Sequence, residues 1–186
     1  MSLVAVQPRI RVAAACADAI NATGAETILV LDTYDAEAFV HRYADWGVQI
    51  RPRIRTATAF VHDLVRRGKL RLAPRAGEVT YHDPSRLARD LDEHAPARAL
   101  IESAGLSIRE MFLNRRLARC CGNALVDRYD PKLVAMTSAG RWEDALRTGA
   151  RTLVTACPQA YLALSRAAPE AMRLEDLFML LDGVSL

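Results

Sequence analysis

The sequence has no run of about 18 consecutive apolar residues, which argues against a membrane-spanning helix. The first residues, Met1 to Pro8, carry neither a basic leader nor an apolar stretch of signal length, so a cytoplasmic protein is expected. Lysine is scarce, with only Lys69 and Lys132, and aromatics make up 6% of the chain. Nucleic-acid binders gather cations on one face and interleave them with stacking rings. Here the arginines are scattered over Arg51–Arg55, Arg66–Arg67 and Arg115–Arg119, which reads as solvated faces and predicts no nucleic-acid partner. Glycine-rich phosphate loops of either common pattern are missing. Cysteine is limited to four residues, and two of them, Cys120 and Cys121, are adjacent. Neighbouring cysteines rarely bridge each other, so metal binding or thiol chemistry is a better expectation than a disulfide framework.

What is present is alternation. Short β-branched runs at Thr27–Leu31, Val79–His82, Ile108–Leu113 and Thr152–Ala156 read as strands, with a weaker one at Gln49–Ile54. Helical patterns fill the intervals: Ile10–Ala22, Asp35–Ala44, Ala57–Arg67, Pro96–Ala104, Pro131–Arg147, Gln159–Ala168 and Arg173–Leu181. Several stop at a glycine, a common C-terminal cap. This order predicts an α/β fold, a mostly parallel sheet flanked by helices on both faces in three layers. Ligands of such folds gather at the strand ends, which directs attention to Asp32–Asp35, His82–Ser85, Asn114–Gly122 and Cys157–Ala160. The segment Thr23-Gly24-Ala25-Glu26-Thr27 is echoed by Thr148-Gly149-Ala150-Arg151-Thr152, a faint internal repeat that sets Asp32 opposite Cys157 and Asp35 opposite Ala160.

Three motifs stand out in order: Tyr81-His82-Asp83-Pro84-Ser85, Cys120-Cys121-Gly122, and Cys157-Pro158-Gln159-Ala160. Together they resemble the second motif set of the cysteine-rich CCG domains. That family includes the heterodisulfide reductase B subunit and the iron–sulfur subunits of glycolate oxidase and lactate-utilisation systems. The family pattern runs His-Asp-Pro-Cys, Cys-Cys-Gly, Cys-Pro-x-Cys, and residues 79 to about 164 follow it. The resemblance implies that residues 1–72 are the tail of a first repeat with a linker, and 73–186 a second repeat, packed as one unit. It implies an electron-transfer component working with other redox subunits on a disulfide, quinone or hydroxy acid couple. The alternative is a CCG-fold binding or scaffold module without a cluster.

The departures limit the implied ligand set. Ser85 and Ala160 replace two expected cysteines, leaving Cys120, Cys121 and Cys157 at three of five positions. Thiolates are the soft donors that iron–sulfur clusters require, and serine or alanine does not replace them. Three outcomes stay open: an iron–sulfur cluster on an incomplete set, zinc on Cys120, Cys121, Cys157 and His82, or no metal. Without metal, Cys120 and Cys121 are redox-thiol candidates. His82 can alternatively be structural, bonded to a backbone carbonyl. Asp83, Ser85 and Arg89 would shape the pocket, and Ser85 doubles as a helix cap. Cys16, His41, His62 and His94 match no ligand spacing and read as packing or surface residues. Asp32 and Asp35 read as caps for the helix that follows them.

Overall fold

A computed structural model describes residues 7–123 and 131–182. The leader reading for Met1–Pro8 therefore lies outside the described residues as far as residue 6. The chain divides into two compact units, residues 1–57 and 58–186.

In the first unit, helix α1 (Gln7–Ala22) leads to strand β1 (Thr27–Val30), and α2 (Thr33–Glu37) continues through a π-turn (Ala38–Arg42) into α3 (Tyr43–Asp45). Strand β2 (Arg53–Thr56) pairs parallel to β1, with Thr27 opposite Arg53 and Val30 opposite Thr56. Asp32 caps α2 by accepting from the Tyr34 amide at 2.8 Å. Its small core joins Ala13 and Ala17 of α1 to Tyr43.

The second unit carries a four-stranded, all-parallel sheet in the order β4-β3-β5-β6. Its strands are β3 (Glu78–His82), β4 (Ser107–Ile108), β5 (Thr152–Thr155) and β6 (Arg173–Asp176). The helices are α4 (Ala57–Arg66), α5 (Ala95–Ser103), α6 (Pro131–Leu146), α7 (Pro158–Ser165) and α8 (Leu177–Leu180). Side chains alternate across a strand, and here each face meets its own helices. Tyr81 and Val154 join Leu100 and Ile101 of α5 and Leu177 of α8 in one core. Leu153 joins Trp142 and Ala145 of α6 and Ala160, Ala163 and Leu164 of α7 in the other. The fold is thus α/β, with parallel strands flanked by helices. Among the described residues, no helix is long and apolar enough to cross a membrane.

Val61 and Val65 of α4 and then Leu72 lie against the core of the second unit. Two local expectations need correction. Of the run Ile108–Leu113 only Ile108 lies in a strand; the Arg109 amide makes the last bond to β3, at the Val79 carbonyl, and Glu110 then accepts from the buried Arg98 guanidinium. The helix expected over Arg173–Leu181 is strand β6 followed by α8, with Asp176 capping the helix through the Phe178 amide at 2.9 Å.

The repeat has a geometric counterpart. At both Thr23 and Thr148 the hydroxyl donates to the carbonyl three residues back, at 2.7 and 2.6 Å, and accepts from the amide two residues on, at 3.2 Å in each case. Gly24 and Gly149 then take φ of 65° and 76°, left-handed values that suit glycine, and a strand follows each.

Candidate functional site

Strands β3, β5 and β6 end together, with His82 beside Thr155 and Thr155 beside Asp176. The His82 and Cys157 motifs leave the sheet at this carboxyl end, following β3 and β5. Cys157 stands at the N-cap of α7 immediately after β5. Cys121 and Cys157 are both buried in the α6/α7 core, and Cys120 is half-buried. Gly122, at φ 90°, turns the chain so that its amide donates to Cys120 Sγ at 3.3 Å. A Cβ at Gly122 would sit 2.9 Å from the Val134 carbonyl oxygen, so the turn is tight against α6.

The Cys121 thiol is pushed up from its ordinary range. Its hydrogen bond with Cys120 is the largest cause, burial the second, and Cys157 is near enough to add to the shift; the Asn123 amide acts the other way. Cys121 thus shares a hydrogen bond with Cys120 and a buried core with Cys157. None of the four cysteines is in a disulfide. Among the described residues, no group of three His, Cys, Asp or Glu side chains is already gathered around a metal-sized site.

His82 is fully buried, and its partner is not a carbonyl. Arg141 Nε donates to His82 Nδ1 at 3.0 Å. A ring nitrogen that accepts carries no proton, so the neutral imidazole keeps its hydrogen on Nε2. That nitrogen is buried without a hydrogen-bond partner among the described residues. Burial first, then Arg141 and Arg89, hold His82 well below its usual pKa.

Asp83 is also buried, but it faces a cation and not the thiols. Its carboxylate meets Arg98 end-on, Nη1 to Oδ1 at 2.7 Å and Nη2 to Oδ2 at 2.9 Å. Arg98 also donates to Glu110 at 2.6 and 2.9 Å and lies 5.3 Å over the Tyr81 ring. Paired charge-assisted bonds of this kind are strong and fix orientation. Asp83 Oδ2 further accepts from the Arg115 amide at 2.8 Å, and Arg115 is itself left-handed at φ 53°. The His-Asp-Pro segment thereby anchors the loop that leads into Cys120. Arg89 does the same from another side, donating to the Ala118 carbonyl at 2.7 Å. Ser85 precedes a π-turn (Arg86–Asp90) and makes no side-chain capping bond, so the expected cap is not formed. Ala160, at the position of an expected cysteine, is buried in the same core as Cys157.

Arg141 and Asp144 were missed at the sequence level. Arg141 is fully buried, yet its position on α6 in step with the buried Val134, Ser138 and Ala145 was the available signal.

Comparison with known proteins agrees with this geometry. Residues 79–165 match the family profile described as CCG, cysteine-rich domain. This segment belongs to the CCG family. A dihydromethanophenazine:CoB–CoM heterodisulfide reductase subunit from Methanosarcina acetivorans is 31% identical over 148 residues, 76% of this chain and 36% of that protein. Its Methanosarcina barkeri counterpart is 30% identical over the same length. A protein described as "Probable membrane-anchored ferredoxin" from Chromohalobacter salexigens is 32% identical over 119 residues, 61% of this chain and 17% of that protein. The chain thus spans about a third of the reductase subunits' length and less of the ferredoxin's.

Cys120, Cys121 and Cys157 have the soft-donor chemistry an iron–sulfur group requires, while Ser85 and Ala160 offer no sulfur, and among the described residues these side chains are not gathered as a metal-ligand group.

Proposed function

We propose that the chain is an electron-transfer component of an iron–sulfur or thiol oxidoreductase system of the heterodisulfide reductase type. Cys120, Cys121 and Cys157 are its thiolate donors. Its redox couple is a disulfide, quinone or hydroxy acid, and it works as a cytoplasmic subunit beside other redox proteins. What supports this reading is that Cys121 shares a hydrogen bond with Cys120 and a buried core with Cys157, which follows the carboxyl end of β5. The named relatives, a heterodisulfide reductase subunit and a ferredoxin, support the redox class. A bound cluster would supply one-electron transfer; the chain's part is to bury two of the thiols, tether their loop through Asp83 and Arg89, and exclude water. We also infer that residues 1–72 are the tail of one CCG repeat and 73–186 a second, a reading supported by the matching Thr-Gly turns before β1 and β5.

Ser85 and Ala160 favour a second reading, a CCG fold retained as a binding or scaffold module without a cluster. Zinc on the same cysteines is the intermediate case. Anaerobic purification followed by a visible spectrum and iron, sulfide and zinc analysis separates them. Brown protein with stoichiometric iron and acid-labile sulfide, lost in C121S, supports the redox reading. Colourless, metal-free protein whose stability is untouched by C121S contradicts it.

A further inference from the structure

The amino ends of the strands in the second unit border a cleft of about 290 Å³, at the opposite end of β3 and β5 from His82 and Cys157. Its apolar lining is Val79, Leu106 and Leu180 of α8. Parallel pairing sets Thr152 of β5 opposite Arg173 of β6, and Val154 opposite Glu175. Side chains two apart on a strand share a face. Val154 lies in the α5/α8 core, so Thr152 points to that same side, where the cleft is. Thr152 is only 7% exposed, and its hydroxyl makes no hydrogen bond among the described residues. A buried hydroxyl left without a partner is costly, and the cleft is the place where this one finds it.

The charges around the cleft are unbalanced. Arg75, Arg151 and Arg173 stand on its rim with Glu78 and Glu175. Glu78 is matched by Arg109, at 2.8 Å. The side chains of Arg151, Arg173 and Glu175 make no ion pair or hydrogen bond among the described residues, and Arg75 gives one bond, to the Asp182 carbonyl at 2.9 Å. Three guanidiniums against the Glu175 carboxylate leave two positive charges uncompensated over an apolar floor. Arginine stays charged and presents a planar fork that suits phosphate oxygens. Thr152 and Arg173 are cross-strand neighbours, so one compact dianion can reach both.

We propose that this cleft is a binding site for a phosphate dianion carried on a small organic group. The phosphate oxygens accept from Arg151, Arg173 and the Thr152 hydroxyl, and the carbon group lies on Val79, Leu106 and Leu180. The site depends neither on the cysteines nor on a metal.

Isothermal titration calorimetry of the full chain, in phosphate-free buffer at constant ionic strength, tests this with phenyl phosphate, inorganic phosphate and benzoate. Phenyl phosphate is expected to saturate a single site with a Kd of about 1 mM or below. R151M and R173M should each weaken it at least about fivefold, as loss of a charge-assisted contact requires. T152V should weaken it about threefold or more, while T152S, which keeps the hydroxyl, should match the parent. R66M removes an exposed arginine of α4 outside the cleft and should also match the parent. Benzoate, the same ring with one charge, should bind at least about tenfold more weakly. Phenyl phosphate binding more tightly than inorganic phosphate assigns the occupant to an ester, and equal affinities assign it to free phosphate.

No saturation by about 10 mM phenyl phosphate overturns the proposal. So does an affinity unchanged in R151M and R173M, or lowered as much by R66M. Benzoate binding as tightly as phenyl phosphate, or T152V binding as tightly as T152S, overturns it as well.

Discussion

Replacing Asp83 with alanine isolates what the His-Asp-Pro segment does for the CCG loop. The carboxylate makes two short bonds to Arg98 and one to the Arg115 amide. Removing one member of a buried ion pair costs about 3–5 kcal/mol, because the surviving charge is stranded. Arg98 keeps Glu110 and the His94 carbonyl, at 2.6 and 2.8 Å, so the lower end applies. The lost backbone bond adds about 1 kcal/mol. The total is about 3–4 kcal/mol, which for a chain of this size lowers Tm by about 6–16 °C. Glu110→Ala removes a carboxylate that is 30% exposed and screened by water, and should cost about 1–2 kcal/mol. Urea titration followed by circular dichroism measures both variants. D83A within about 1 kcal/mol of the parent, or E110A as damaging as D83A, would refute the view that Asp83 anchors the segment through Arg98 and Arg115.

Gly122→Ala drives a Cβ to 2.9 Å from the Val134 carbonyl oxygen at φ 90°, so it should destabilise by about 2 kcal/mol or more and raise Cys121 reactivity toward a neutral alkylating agent; an unchanged melting curve contradicts this. Leu153→Ala empties a fully buried site in the α6/α7 core and should cost about 2–5 kcal/mol in the same urea assay, and less than about 1 kcal/mol would be inconsistent with the packing. Because His82 is held neutral in the folded state, the unfolded chain takes up its proton first. Stability linked to His82 is therefore present above the ordinary histidine value of 6.5 and lost as pH falls below it, at up to about 1.4 kcal/mol per pH unit, a slope that H82N should lack.

Much of the architecture was legible in the sequence for simple reasons. Thr152–Thr155 is buried throughout, as expected of a central parallel strand, and the Thr-Gly turn before it is written in the residues themselves. The CCG motifs were legible because the cysteines are few and the motifs keep family spacing. Strand β6 was not, since Arg173-Leu174-Glu175-Asp176 is short, charged and runs directly into an apolar helical turn. Its strand state comes from pairing with β5, a tertiary contact that local pattern does not carry. The buried charges were hidden for a related reason. Arg98 and Arg141 are residue types that normally lie at the surface, and what buries them, Asp83, Glu110, His82 and the Leu113 carbonyl, is distant in sequence. The loss of Ser85 as a cap follows from the π-turn that replaces a regular helix start.

Titration with a trivalent arsenical under reducing, anaerobic conditions asks most directly whether three thiols share one pocket. A single arsenic should protect three of the four cysteines from later alkylation, leaving Cys16 as the modified residue and losing the third protected site in C157A. Protection of Cys120 and Cys121 alone, with Cys157 alkylated as readily as Cys16, would contradict the convergence on which the redox assignment depends.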